Sequence, residues 1–147
     1  MSKKTLDLHQ YFPYFLGTIA NKWASSSSRI YLSEFGIGIA TWRVLASISS
    51  IGEATSQDVA ILVSMDAGAV SRAVGELEKS GHIKKVEGRF PGRTKPYTLT
   101  ASGRKLYSDI LKIALKREAL LLAGLSDSEK KSLLRIMQKL SGNLELL

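Results

Sequence analysis

The chain has 147 residues, with 21 lysines and arginines against 13 acidic residues, a formal net charge of +8 and a sequence pI near 9.8. Hydrophobic residues make up 44% and charged residues 23%, a balance that excludes a disordered polyelectrolyte and suits one domain with its own core. There is no cysteine, which excludes disulfides, thiol redox sensing and thiolate metal sites.

Leu8 to Trp23 carries apolar side chains at Leu8, Phe12, Phe15, Leu16, Ile19 and Trp23, the steps of three and four that mark an amphipathic helix. Pro13 inside this pattern marks either its start or a kink. The serine run Ser25 to Ser28 reads as a break, and Tyr31 to Gly38 as a short element or loop punctuated by Gly36 and Gly38. The next helix is expected from Ile39 to Ile51, with Trp42, Leu45, Ile48 and Ile51 as its buried stripe and Gly52 as its stop. Thr55-Ser56-Gln57-Asp58 is a capping box opening a short helix to about Val63. Ser64-Met65-Asp66 is a turn that caps a further helix to Ser80, with Val70, Val74 and Leu77 inward and Gly81 as the stop.

The period then changes. Ile83 to Glu87 and Tyr97 to Thr100 have strand character, and the Gly- and Pro-punctuated segment between them reads as a hairpin tip. Ser102 to about Ala123 reads as a long helix with Leu106, Ile110, Ile113 and Leu120 inside. Ser126 to Glu129 is a second capping box, opening a last helix with Leu133, Ile136, Met137, Leu140 and Leu144 along one side.

The informative order lies between Thr55 and Thr100: capped short helix, tight turn, longer helix, glycine, strand, basic tip, strand. That is a helix-turn-helix followed by a hairpin, in which the second helix enters the major groove of duplex DNA. Charge agrees with it. From Arg72 to Lys105 nine basic residues face three acidic ones, which accounts for six of the eight net positive charges. Ala67, Gly68, Ser71 and Arg72 fall at or near the face opposite the apolar one. Arg72 can reach guanine O6 and N7 or a phosphate, or pair internally with Glu76. Thr55, Ser56 and Gln57 at a helix start, Ser64 in the turn, and Arg89, Arg93 and Lys95 on the tip complete the candidate DNA contacts.

Catalysis has no support in the sequence. His9 and His82 lack a nucleophile or paired carboxylate beside them and lie too far apart in sequence to suggest zinc. No phosphate-binding glycine loop or dinucleotide fingerprint is present. No catalytic residue, metal or cofactor is therefore assigned, and an enzyme is not expected. No apolar run has the length of a membrane span, and Met1-Ser2-Lys3-Lys4 lacks a signal-peptide pattern, so no membrane partner and a cytoplasmic location are expected.

Trp42-Arg43-Val44-Leu45, Ala54-Thr55, Asp66 with Val70-Ser71-Arg72, Leu77-Glu78-Lys79-Ser80-Gly81, Leu99-Thr100 with Gly103, and Leu125-Ser126 with Glu129 follow one another from about Ile37 to Leu140. In order and spacing the chain resembles the multiple-antibiotic-resistance-regulator (MarR) family of bacterial transcription factors. The resemblance implies a mainly α fold with a small β-hairpin wing. A winged helix-turn-helix would occupy about residues 37–101, and dimerisation helices about residues 1–36 and 102–147, all in one domain. It implies an obligate homodimer on a pseudo-palindromic operator and a ligand-responsive repressor. It also implies a pocket for a small aromatic or acyl-CoA effector, for which Tyr11, Phe15, Ile19, Trp23, Tyr31 and Trp42 are the candidates. The N-terminal segment, with Phe12-Pro13-Tyr14-Phe15-Leu16 and Ala20-Asn21-Lys22-Trp23, is similar to relatives that govern aromatic-acid breakdown. The wing departs from the family pattern. Asp-Arg-Arg is usual nine to seven residues before the threonine matching Thr100, and Pro91, Gly92 and Arg93 stand there. The alternative to a regulator is a winged-helix module that binds protein without sequence-specific DNA binding.

Overall fold

The structure, a computed structural model, describes residues 5–92 and 94–147. It consists of six α-helices, a two-stranded antiparallel hairpin and a short 3-10 turn near each end, the mainly helical fold with a wing expected from the sequence. Two compact units, Met1–Ile110 and Leu111–Leu147, are described in turn.

In the first unit, α1 runs Phe12–Phe35 as one helix. Pro13 sits in its first turn, where a missing N–H costs nothing. The serine run does not break it. Ser27 is fully buried, and the Ser28 hydroxyl accepts the Ile39 N–H at 3.3 Å. Small side chains are what let this part of α1 lie against the start of the next helix, and packing overrides their weak helix preference. The segment expected as a loop is helical to Phe35, with Tyr31 buried, and the helix ends on Gly36 in the left-handed region.

Helix α2 is Ile39–Ile51, α3 is Ser56–Val63 and α4 is Ala67–Lys79. Val44, Leu45 and Ile48 of α2, Val59 of α3, Val70, Ala73, Val74 and Leu77 of α4, and Ile83 and Leu99 of the hairpin form one buried cluster with Ala54. At about 1.5–3 kcal/mol for each fully buried large apolar side chain, this cluster dominates the stability of the unit. Ile51, expected in the stripe, lies at the last turn of α2 and is 44% exposed. Trp42 is half-buried between Tyr31 and Tyr107, with ring centroids at 6.0 and 5.6 Å. One polar contact crosses this packing: the Thr41 hydroxyl donates to Glu76 at 2.7 Å and pins α2 to α4.

Strands β1, Ile83–Lys85, and β2, Tyr97–Leu99, pair with Ile83 opposite Leu99 and Lys85 opposite Tyr97. Ala54 adds a bridge, exchanging backbone hydrogen bonds with Tyr97 at 3.0 and 2.8 Å. The end of α4 is tied to this hairpin by a Schellman turn. Gly81, at φ 75°, donates its N–H to Glu78, and the His82 N–H donates to Leu77. Thr100 donates its hydroxyl to the Gly81 carbonyl at 2.6 Å and accepts the Gly103 N–H at 3.1 Å, so it opens the following helix α5, Ala101–Leu121.

In the second unit, the end of α5 is followed by α6, Asp127–Asn143, opened by the capping box of Ser126 and Glu129. No α6 residue is buried, and Leu133, Ile136 and Met137 lie on the surface of the chain. Leu120, expected inside, is 77% exposed. Among the described residues no helix is long and apolar enough to cross a membrane, and no cluster of three metal-ligating side chains is found.

A Cβ on Gly103 would run into the carbonyl of His82. Gly103→Ala is therefore expected to cost about 1–3 kcal/mol through overpacking against backbone, read as a lowered denaturation midpoint. An unchanged midpoint would show that this approach is not tight.

Candidate nucleic-acid interface

Helix α4 has the two faces that its sequence implies. Val70, Ala73, Val74 and Leu77 are buried, while Ala67, Gly68, Ser71, Arg72 and Gly75 are exposed. Asp66 caps the helix by accepting the N–H groups of Gly68 and Ala69, each at 3.0 Å. These two bonds, with the nearby Arg72 charge adding less, hold the Asp66 carboxyl below the ordinary aspartate range. The Arg72 guanidinium lies back along the helix toward this carboxylate. A Cβ at Gly68 would stand 3.5 Å from its Nη1, an ordinary contact, and 3.3 Å from Asp66 Oδ1, a tighter one. Glu76, the sequence-level rival for Arg72, instead accepts the Thr41 hydroxyl.

The start of α3 separates three candidates that are adjacent in sequence. The Thr55 hydroxyl accepts the Asp58 N–H at 3.1 Å and donates to Asp58 Oδ2 at 2.8 Å, and the residue is 7% exposed. The Thr55 hydroxyl is thus engaged in the cap and largely turned away from solvent. Ser56 is half-buried and Gln57 exposed, at the end of the helix where backbone N–H groups face outward. Ser64 closes α3 with φ 50° and is exposed in the turn before α4.

The hairpin brings Lys95 toward Ser56. Ser56, Lys85, Thr94, Lys95 and Tyr97 line a cleft of about 310 Å³. Lys95 also borders a second hollow, of about 420 Å³, with Gly88, Arg89, Phe90 and Pro91. Arg89 is exposed at the tip, and Arg93 lies outside the described residues. Lys85 and Thr94 were not singled out from sequence. Tyr97 fixes the hairpin base to α4 through its hydroxyl, which donates to Glu78 at 3.4 Å. Partial burial, then the Glu78 charge, raises the Tyr97 pKa, so the phenol stays protonated and able to donate. Two further cations of the basic stretch have partners within the chain: Arg104 donates to the Leu99 carbonyl at 2.9 Å, and Lys105, on the surface, pairs with Asp109 at 2.6 Å.

The six ligand candidates fall into two groups. Tyr31 is buried and Trp42 and Trp23 are half-buried, whereas Tyr11, Phe15 and Ile19 are exposed, and none of the six lines the two hollows described above. Positions 11, 15, 19, 23, 27 and 31 are four apart. At 3.6 residues per turn such a stripe drifts round the helix by roughly 40° per step. Of this stripe, Ser27 and Tyr31 are buried and Tyr31 packs on Trp42 of α2, while Tyr11, Phe15 and Ile19 are exposed.

Thr55→Ala is expected to lower unfolding stability by about 1 kcal/mol through loss of the cap, whereas Ser56→Ala leaves the denaturation midpoint in place. For Asp66, the depressed carboxyl means the cap is fully formed above the ordinary aspartate range and is lost as pH falls through the lowered folded value. Gly68 and Ala69 amide shifts followed by NMR should stay constant from neutrality down to about pH 4 and move only below it. Movement near neutrality would contradict the cap.

No protein-family model matches the chain. The HTH-type transcriptional regulator YwoH of Bacillus subtilis is 31% identical over 101 residues, covering 69% of this chain and 73% of that protein. A protein of Mycobacterium tuberculosis described as the HTH-type transcriptional repressor Rv2887 is 25% identical over 133 residues, covering 90% of this chain and 93% of its own length. Among solved structures, a MarR/EmrR family transcriptional regulator from Acinetobacter superposes with a TM-score of 0.89 at 29% identity, covering 97% of this chain and all of that one. With its two-faced α4, the basic hairpin beside it and these relatives, the chain belongs to the MarR family of DNA-binding, winged helix-turn-helix transcriptional regulators.

Proposed function

We propose that the protein acts as a homodimeric repressor on a pseudo-palindromic duplex operator, with α4 in the major groove and the hairpin on the neighbouring backbone, and that a small effector loosens its grip. The observation that carries the DNA-reading part is the division of α4 into a buried apolar face and an exposed face of small residues around Arg72. Ala67, Gly68, Ser71 and Gly75 let the backbone come close to base edges. Arg72 is the residue on that face able to make a bidentate contact to guanine. Ser56 and Gln57 at the start of α3, with Lys85, Arg89 and Lys95 from the hairpin, supply phosphate contacts.

The homodimer is supported by apolar side chains that the single chain leaves uncovered: Phe12, Phe15, Leu16 and Ile19 on α1, and Leu134 and Ile136 on α6. Patches of this kind are costly in water and are met by a second copy through a two-fold interface. Two α4 helices then address successive major grooves, roughly 34 Å apart on B-DNA. Repression is supported by the name of the mycobacterial relative and needs only that the operator be occupied.

The effector is an aromatic acid or its CoA thioester, consistent with control of aromatic-acid breakdown. Support comes from the aromatic stripe of Tyr11, Phe15, Trp23 and Tyr31, which continues to Trp42. Such a ligand acts only through tighter binding to a conformer whose α4 spacing no longer fits the two grooves.

Gel shift with the DNA upstream of its own gene is expected to give a discrete complex, with affinity falling on a log–log salt plot by about 0.9 per phosphate contact. Arg72→Ala should weaken the operator complex by about 1–3 kcal/mol and leave binding to unrelated duplex nearly unchanged. Intact operator binding by that variant would sink the α4 assignment. Light scattering should give twice the 16.1 kDa chain mass. Salicylate, benzoate and benzoyl-CoA titrated into the complex should include at least one that releases DNA, and no release by any of them overturns the effector part.

A further inference from the structure

The hairpin tip carries more than charge. Beyond the last ladder bond, from the Val86 N–H to the Pro96 carbonyl at 2.8 Å, the two strands part. Gly88 then adopts φ 125°, a conformation suited to glycine. The Phe90 ring folds back over this turn, so that a Cβ at position 88 would touch its Cε2 at 3.8 Å. Phe90 is thereby half-buried at a tip that shares nothing with the hydrophobic core, and Pro91 beside it is exposed. Arg89 and Lys95 border the same hollow of about 420 Å³ as Phe90 and Pro91, so apolar surface and two cations share one face of the tip. Lys95 also lines the cleft at the start of α3, which makes the tip continuous with the face assigned to phosphates.

We propose that Phe90 and Pro91 form an apolar wedge that enters the minor groove and partly unstacks one base step, while Arg89 and Lys95 hold the phosphates flanking it. This inference rests on the DNA-binding reading above. A hairpin serving only as an electrostatic clamp needs charge at its tip and no aromatic ring. A wedge needs an apolar apex, a support that keeps it from collapsing, and cations to offset the groove's flanking phosphates. Pro91 supplies a rigid apex, Phe90 packed over Gly88 supplies both apolar surface and support, and the two cations are in place. Side chains of these two types are among those that pry base steps apart and bend the duplex toward the major groove. Sugar edges give the ring and the pyrrolidine an apolar surface, which an acidic protein partner would not offer between its charges.

The test uses the full chain and duplexes that it enriches from a random pool, with 2-aminopurine placed at successive positions across each flank. The wild-type protein is expected to raise the fluorescence several-fold at one step per half-site. The double variant Phe90→Ser/Pro91→Ser is expected to abolish the rise while keeping the denaturation midpoint and the salt slope, and Phe90→Leu, which keeps an apolar apex, is expected to retain it. Enriched duplexes that show no rise at any position, or a rise that survives in the double variant, overturn the wedge and leave the DNA-binding reading standing. Failure to enrich any duplex overturns both.

Discussion

The position of the hairpin relative to α4 depends on one close approach of backbone to backbone. Gly103, at the start of α5, lies against the carbonyl of His82, and Thr100 bridges the gap by donating to the Gly81 carbonyl and accepting from Gly103. The Schellman turn at Gly81 sets the direction in which the chain leaves α4. Together these contacts fix three elements at one corner without a long side chain among them. Everything in the candidate interface is measured from that corner, because Arg72 sits on α4 and the basic tip sits on the strands that leave it. The Tyr97 to Glu78 bond adds a second tie between the same two elements. A rigid corner suits recognition, since a contact held within a fraction of an ångström loses less freedom on binding.

Above this corner the energetics are ordinary core packing, and at the two ends of the chain they are not. The cluster built on Leu45, Ile48 and Leu77 is closed off from water, whereas α6 buries nothing and the first turns of α1 leave Phe12 and Phe15 outside. A chain with so complete a centre and such open ends has stability that depends on what covers those ends, and hence on its own concentration if a second copy does so.

Much of this was legible in the sequence because its signals are local. The capping boxes at Thr55 and Ser126, the Asp66 cap and the Gly81 stop each involve a few neighbouring residues, and α2 falls between the same residues that its apolar period implies. The failures are non-local. Ser25 to Ser28 looks like a break because serine is a weak helix former. Only the approach of α2, with the Ile39 N–H reaching Ser28, makes small side chains an advantage there. Leu120 belongs to an apolar period, but periodicity states which face is apolar and not what covers it. In the candidate site, Thr55 and Ser56 are equivalent as sequence and opposite as structure, since one hydroxyl is consumed by Asp58 and its neighbour faces the cleft. Lys85 joins that cleft through strand pairing, which no run of adjacent residues discloses.

Ser64 is the one residue other than glycine with a positive φ among those described, at 50°. Holding an L side chain in that region costs roughly 1–2 kcal/mol in helical sterics. Glycine would relieve this strain and return about 0.4–1 kcal/mol of it as extra freedom in the unfolded chain. The relief is the larger of the two, so glycine at position 64 would stabilise the fold by up to about 1.6 kcal/mol. With serine in place, that strain stays stored in the turn that leads into α4.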